Sequence, residues 1–207
     1  MSSVLSATKL EALGLAALAD RALAELRTGG DVCAATREAL LLWTRAHSTS
    51  SDEGPVLRSD QDDTGKTPGS GLPYVRRTLM AGSAGELMLA TWAPHLRCAP
   101  HDHGGSSGLV LIVVGRFDER SFTFDGRRLI EGPHVQRPPG SAIRVSPTTI
   151  HDMESLDPDG LTLHLYAPAP QPMRLYDSEH RVTVVVGEGH GAWLPAHRPL
   201  EVSSWSA

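Results

Sequence analysis

The stretch HDHGGSSGLVLIVVG, residues 101–115, sets two histidines one residue apart, follows them with glycines and serines, and then enters a hydrophobic run. Residues two apart on an extended strand project to one face. His101 and His103 therefore point together, with Asp102 turned the other way. Two imidazoles side by side are what two adjacent ligands on Fe, Zn, Cu or Ni require. His151 is the best third ligand, because it opens a short strand after SPTTI, far enough along the chain to return beside the pair. With ten histidines in the chain an HxH by chance is not rare. Taken alone, the pair is read equally well as surface or core histidines.

A second pattern lies in LTLHLY, residues 161–166. Leu161, Leu163 and Leu165 share one strand face, and Thr162, His164 and Tyr166 share the other. Three polar side chains on one face of a buried strand need partners, at a cost of roughly 1–3 kcal/mol for each left unmade. A hydroxyl–imidazole–phenol relay satisfies all three and aims Tyr166 at a cavity. The alternative is an edge strand with a wet polar face. Arg76 supplies a planar donor fork that matches a carboxylate; its plainer reading is a surface ion pair. Arg77, its neighbour, points to the opposite face and is taken as solvated.

These residues need a scaffold. From Tyr74 onward, short strands alternate with turn residues, with candidates at 74–80, 85–93, 108–117, 119–124, 128–131, 141–145, 151–155, 161–166 and 181–187. Many short strands with Gly and Pro punctuation predict a sandwich or barrel. Ahead of them, leucines at near-helical spacing over 7–28 stop at Gly29-Gly30, and Asp31 caps a second helix running to about Ala46. Residues 48–72 are polar and rich in Ser, Asp and Gly, as in a long surface loop. The expected organisation is a helical segment over 1–48, a polar loop over 49–71, a β-barrel over 72–190 and a C-terminal extension over 191–207.

Composition narrows the function classes. The chain has 207 residues, 40% of them apolar, which is ample for one good-sized domain with a core. A net charge of −5 argues against nucleic acid or an anionic membrane as partner. No segment approaches the roughly 18 apolar residues that span a bilayer. The N-terminus MSSVLSATKLEALG has neither the basic head nor the apolar core of a secretory signal. A cytoplasmic, monomeric protein is expected, with Cys33 and Cys98 kept as thiols. The wealth of Ala, Arg, Pro and Gly suggests a bacterial gene.

The spacing around the histidine pair resembles the first cupin motif: HxH, four residues, one position, six residues, then Gly, here His101, His103, Gly108 and Gly115. The resemblance implies a mainly β fold, the cupin double-stranded β-barrel (jelly roll), with the metal inside. Cupins usually carry a glutamate ligand where this chain has Gly108, which leaves three neutral ligands. The second cupin motif is looser, with Pro147 four residues before His151 and Ser155 where Asn is usual. Within the cupins, residues 72–180 look like the cysteine dioxygenase family of thiol oxidisers. The resemblance is carried by Trp92 nine residues before His101, by Tyr74-Val75-Arg76, by HDMES at 151–155, by LTLHLYAPAP at 161–170 and by RLYD at 174–177. Some animal relatives have a cysteine at the Gly108 position that crosslinks to the strand tyrosine. Glycine cannot do so, and Tyr166 is expected to be a free phenol, as in bacterial members.

What the family implies is specific. Fe(II) sits on His101, His103 and His151. Arg76, with Tyr74 and Tyr166, binds the substrate, and Arg76 holds its carboxylate. Tyr166 acts at the reacting atoms, oriented by His164, with Thr162 and Trp92 supporting the relay. The reaction is thiol plus O2 giving sulfinic acid, most simply L-cysteine to cysteine sulfinate, so the partners are a small thiol and O2. A relative acting on 3-mercaptopropionate is the nearest rival, although such relatives tend to carry glutamine at the Arg76 position. A metal-binding cupin without oxygenase activity, an isomerase or a ligand sensor, is a rival of another class. Cys98 is read as a small barrel residue, with contact to the site left open. His95 and His134 are taken as loop histidines, and His180 and His190 lack a partner pattern.

Overall fold

In the computed structural model, which describes residues 71–82, 85–167, 172–187 and 189–206, turn residues cut the chain into short strands. They are β1 (Tyr74–Gly82), β2 (Gly85–Trp92), β3 (Ser107–Val114), β4 (Phe117–Phe124), β5 (Leu129–Arg137) and β6 (Ala142–Val145), then β7 (Ile150–Ser155), β8 (Gly160–Ala167), β9 (Met173–Asp177), β10 (Val182–Val186) and β11 (Glu201–Ser204). The helical segment expected over 1–48 and the polar loop up to residue 70 lie outside the described residues. No helix among the described residues is long and apolar enough to cross a membrane.

One sheet has the order β1-β2-β8-β3-β6. A second runs β5-β4-β7, and a third β11-β10-β9. The segment around His101 joins the last two, since His101 bridges His151 of β7 on one side and Leu175 of β9 on the other. Its backbone exchanges hydrogen bonds with His151 at 3.0 and 3.1 Å, and Asp102 N–H donates to Arg174 O at 3.0 Å. The five-stranded sheet and the layer (His101 segment)-β7-β4-β5 enclose one core between them, as in a jelly roll. The shared core holds Val110, Ile112, Phe117, Ile143, Met153 and Leu175, all under a tenth exposed.

β8 lies between β2 and β3, so its polar face is no wet edge. Both of its faces are buried, and the usual pattern is inverted. Leu161, Leu163 and Leu165 face away from the barrel interior, while Thr162, His164 and Tyr166 share the face of Val110 and Ile112 in the β3 register. A strand with polar groups turned toward the interior marks a lined cavity rather than a plain core.

Several expected boundaries shift for identifiable reasons. The run 108–117 is two strands, because Gly115 has φ 81° and a Cβ there meets Gly160 Cα at 3.3 Å. β5 continues through Gly132-Pro133 to Arg137 instead of stopping at 131, because it is an edge strand, where a missing N–H is tolerated. His134 therefore sits in a strand, not a loop, and pairs with Asp118 at 2.6 Å. β9 and β11, absent from the candidate strands, pair on either side of β10.

Candidate metal centre and its cavity

The histidine pair is not in a continuous strand. After the bridge at His101 the chain turns, with Ser106 N–H donating to His103 O at 3.1 Å and with Gly104 and Gly105 at positive φ. The projection expected from strand alternation nonetheless holds. Asp102 faces outward, where its Oδ1 accepts from Arg174 N–H at 2.8 Å and Gly104 N–H at 3.1 Å. His101, His103 and His151 face inward and form a near-equilateral triangle, each pair of ring centroids 5.0 Å apart. All three are buried, and one nitrogen from each lies within 4.8 Å of the others.

The tautomers follow from the partners. A carbonyl only accepts, so His101 Nδ1–H donates to Ala99 O at 2.9 Å, which leaves the Nε2 lone pair for the cavity. His151 Nδ1–H donates to the Glu119 carboxylate at 2.9 Å. Neither nitrogen of His103 makes a well-formed hydrogen bond. Burial, aided by the neighbouring His151, pushes His101 down to about 3 and His103 well below the usual imidazole range. Three buried imidazoles grouped this closely fit a divalent metal of the Fe–Zn series, and the group could hold such an ion.

Glu119 was not foreseen. It lies on β4 two residues from the core residue Phe117, and an acid on an inward strand face was the available signal. Burial works to raise its carboxyl, but His151 and then Arg137 outweigh this and hold it below the usual range. Arg137 Nε–H donates to its second oxygen at 2.7 Å. A carboxylate behind a ligating imidazole fixes the ring and raises its basicity. Glu119→Ala is expected to weaken metal affinity about 10- to 100-fold without altering stoichiometry at saturation. Competition against a chelator measures it, and unchanged affinity removes Glu119 from this role.

The relay on β8 is continuous. Trp92 Nε1–H can only donate, and it does so to Thr162 Oγ1 at 2.8 Å. Thr162 Oγ1 is in turn hydrogen-bonded to His164 Nε2 at 2.7 Å, and His164 Nδ1 to Tyr166 Oη at 3.0 Å. With the His164 proton on Nδ1, the imidazole accepts from Thr162 and donates to Tyr166, and the Tyr166 O–H is left to donate into the cavity. Burial, and then His151 and His101, push His164 down to about 3, which keeps it neutral as this chain needs. Burial, then Tyr74 and Glu86, raise Tyr166 well above the ordinary phenol value and keep its proton in place.

Gly108 pairs with Tyr166 across β3 and β8. A Cβ at Gly108 comes within 2.4 Å of both Leu165 O and Tyr166 Cδ1. The tyrosine ring, 5.2 Å from the His103 ring, occupies the space into which a side chain at 108 extends. The absence of a carboxylate ligand from this position is thus a steric consequence of where Tyr166 packs.

The remaining expected residues converge on one cavity of about 50 Å³, lined by the three histidines, Tyr74, Arg76, Trp92, His164 and Tyr166. Thr162 is not in the lining and acts only through its neighbours. The Tyr74 hydroxyl accepts from Ala192 N–H at 2.8 Å, and its ring packs on Trp92 and Trp193. Arg76 forms an ion pair with Glu86, which also lines the cavity and was missed. Met88, Met153, Met173 and His190 complete the wall. Cys98 is absent from this lining. It is a buried free thiol, pushed up to about 12 chiefly by burial, and its sulfur accepts from Met153 N–H at 3.2 Å. His95 is an exposed loop residue at φ 57°, and His180 pairs with Asp177 at 2.8 Å.

Fold and site together define a jelly-roll barrel with a pocket whose three histidines could hold a metal ion. No protein-family model matches the chain, and no curated protein matches it. Among solved structures it is similar to an uncharacterized conserved protein with a double-stranded β-helix domain from Klebsiella pneumoniae, at 14% identity and TM-score 0.46, covering 60% of this chain and 99% of that one. It is also similar to KdgF from Halomonas sp., at 21% identity and TM-score 0.40, covering 46% and 79%. An RmlC-like cupin protein from Desulfovibrio desulfuricans matches at 16% identity and TM-score 0.39, covering 58% and 98%.

Proposed function

We propose that the protein is a non-haem iron dioxygenase of small thiols, with L-cysteine as substrate and cysteine sulfinate as product. The observation that carries the reading is the Trp92–Thr162–His164–Tyr166 relay ending in a phenol beside three buried imidazoles. The donor set would be His101, His103 and His151. With no carboxylate among them the bound ion keeps its full positive charge and favours an anionic thiolate, and Fe(II) supplies the redox activity toward O2 that zinc lacks. In the net reaction, RSH + O2 gives RSO2H. Both oxygen atoms end on sulfur, which gives up four electrons, and no external reductant is needed.

The chain's own contributions are positional. Arg76 offers its guanidinium to the substrate carboxylate from β1. Tyr166 donates its hydrogen toward the reacting atoms, with His164 and Thr162 holding the phenol in one orientation. A cavity of about 50 Å³ restricts the ligand to a small one.

Oxygen uptake by the Fe(II)-loaded protein against a panel of thiols, with products identified by mass, tests the reading. Thiol-dependent uptake with sulfinate formation supports it. An iron-loaded protein that consumes no O2 with any small thiol overturns it and favours an isomerase or ligand-binding module. Arg76→Ala is expected to raise KM for cysteine about tenfold or more, and KM for cysteamine, which lacks the carboxylate, much less. An equal rise for both thiols excludes Arg76 from the carboxylate role.

A further inference from the structure

The charge beside Arg76 is not explained by a simple carboxylate clamp. Glu86 is 8% exposed, sits in the same cavity wall, and forms an ion pair with the Arg76 guanidinium. Its Oε1 also accepts from the Thr78 hydroxyl at 3.2 Å. In the β2–β8 register Glu86 lies opposite Tyr166, so the carboxylate, the phenol and the guanidinium share one face of the sheet. The other polar residues of the lining are Tyr74 and the histidines, with three methionines and Trp92 as its apolar part. The distal end of the pocket is therefore a buried pair of opposite charges, close to neutral as a whole.

That arrangement discriminates between ligands. A ligand carrying only a carboxylate draws Arg76 donors away from Glu86 and sets a second anion beside it. Like charges at such range in a poorly solvated site repel, and a buried acid left without its partner is costly. A ligand carrying both a carboxylate and an amine avoids this. Its carboxylate accepts from Arg76 while its N–H groups donate to Glu86, and the count of opposite charges stays balanced. Resting on the reading of this pocket as a thiol site, we propose that Glu86 is a specificity residue. With Arg76 it forms a paired-charge clamp that selects small amino-carboxylate thiols over thiols bearing a carboxylate alone.

The experiment is anaerobic calorimetric titration of the Fe(II)-loaded protein with L-cysteine and with 3-mercaptopropionate, so that binding is read without turnover. The wild-type protein is expected to prefer cysteine. Glu86→Gln keeps the shape and removes the charge. It is expected to weaken cysteine and strengthen 3-mercaptopropionate, moving the ratio of their Kd values by about tenfold or more. A Glu86→Gln protein with normal iron content that shifts both thiols equally overturns the clamp while leaving the thiol reading intact. A wild-type protein that binds neither thiol overturns the thiol reading, and the clamp with it. If the single variant does not hold iron, Arg76→Gln/Glu86→Gln, which buries no lone charge, replaces it. That double variant is expected to bind the two thiols within about threefold of each other, and a retained wild-type preference overturns the proposal.

Discussion

His151→Ala is expected to abolish stoichiometric metal binding. The donor set among the described residues is three imidazoles, and Gly108 leaves no carboxylate in reserve. Site formation energies of about 10–16 kcal/mol for multi-ligand metal sites imply several kcal/mol for each ligand, or a loss of affinity on the order of 10³-fold or more. The scaffold should survive the change. His151 lies on β7, whose neighbouring side chain Asp152 is fully buried and held by Arg97 at 2.8 Å and Arg120 at 3.0 Å. Glu119 keeps Arg137 as its partner when the imidazole is gone. The measurement is metal content after reconstitution, set against the melting temperature of the metal-free protein. Wild-type iron stoichiometry in a folded His151→Ala protein refutes the ligand assignment.

Tyr166→Phe is expected to lower turnover about 10²-fold, the usual effect of deleting one donor aimed at developing charge, with metal content unchanged. The ring and its packing against His103 and Gly108 persist, so the site keeps its shape. What goes is the hydroxyl at the cavity end of the relay. His164 Nδ1 also loses its hydrogen-bond partner, and a buried unmet polar group costs roughly 1–3 kcal/mol. A lower melting temperature should therefore accompany the slower rate. Steady-state oxygen uptake, iron content and thermal melting on one preparation separate these effects. Normal turnover demotes the tyrosine to a packing residue.

Much of the barrel was legible because strand periodicity is local. The interior positions of β8 follow from alternation alone, and so does the outward turn of Asp102. The His101–His103 pair shows the limit of that argument. The two rings do share a side, yet the backbone between them is a turn-entering segment held by β7 and β9. Alternation there reflects hydrogen bonding to two distant strands. The splitting of 108–117 at Gly115 was hidden for a related reason, since only the approach of Gly160 shows why that glycine is required.

The sequence alone determined which residues are able to carry chemistry and which of them share a strand face: the HxH pair, the Thr162–His164–Tyr166 face, Arg76 in its strand and the small residue at 108. These are properties of neighbours two apart, set by backbone pleat. Only the tertiary structure decided the partners across strands. It placed Glu119 behind His151, Trp92 at the head of the relay, the Tyr166 ring over Gly108 and Glu86 on Arg76. The reason is that buried charges and donors are satisfied by whatever register and sheet winding bring near. Those contacts span 10 to 70 residues of chain and leave no periodic trace in it.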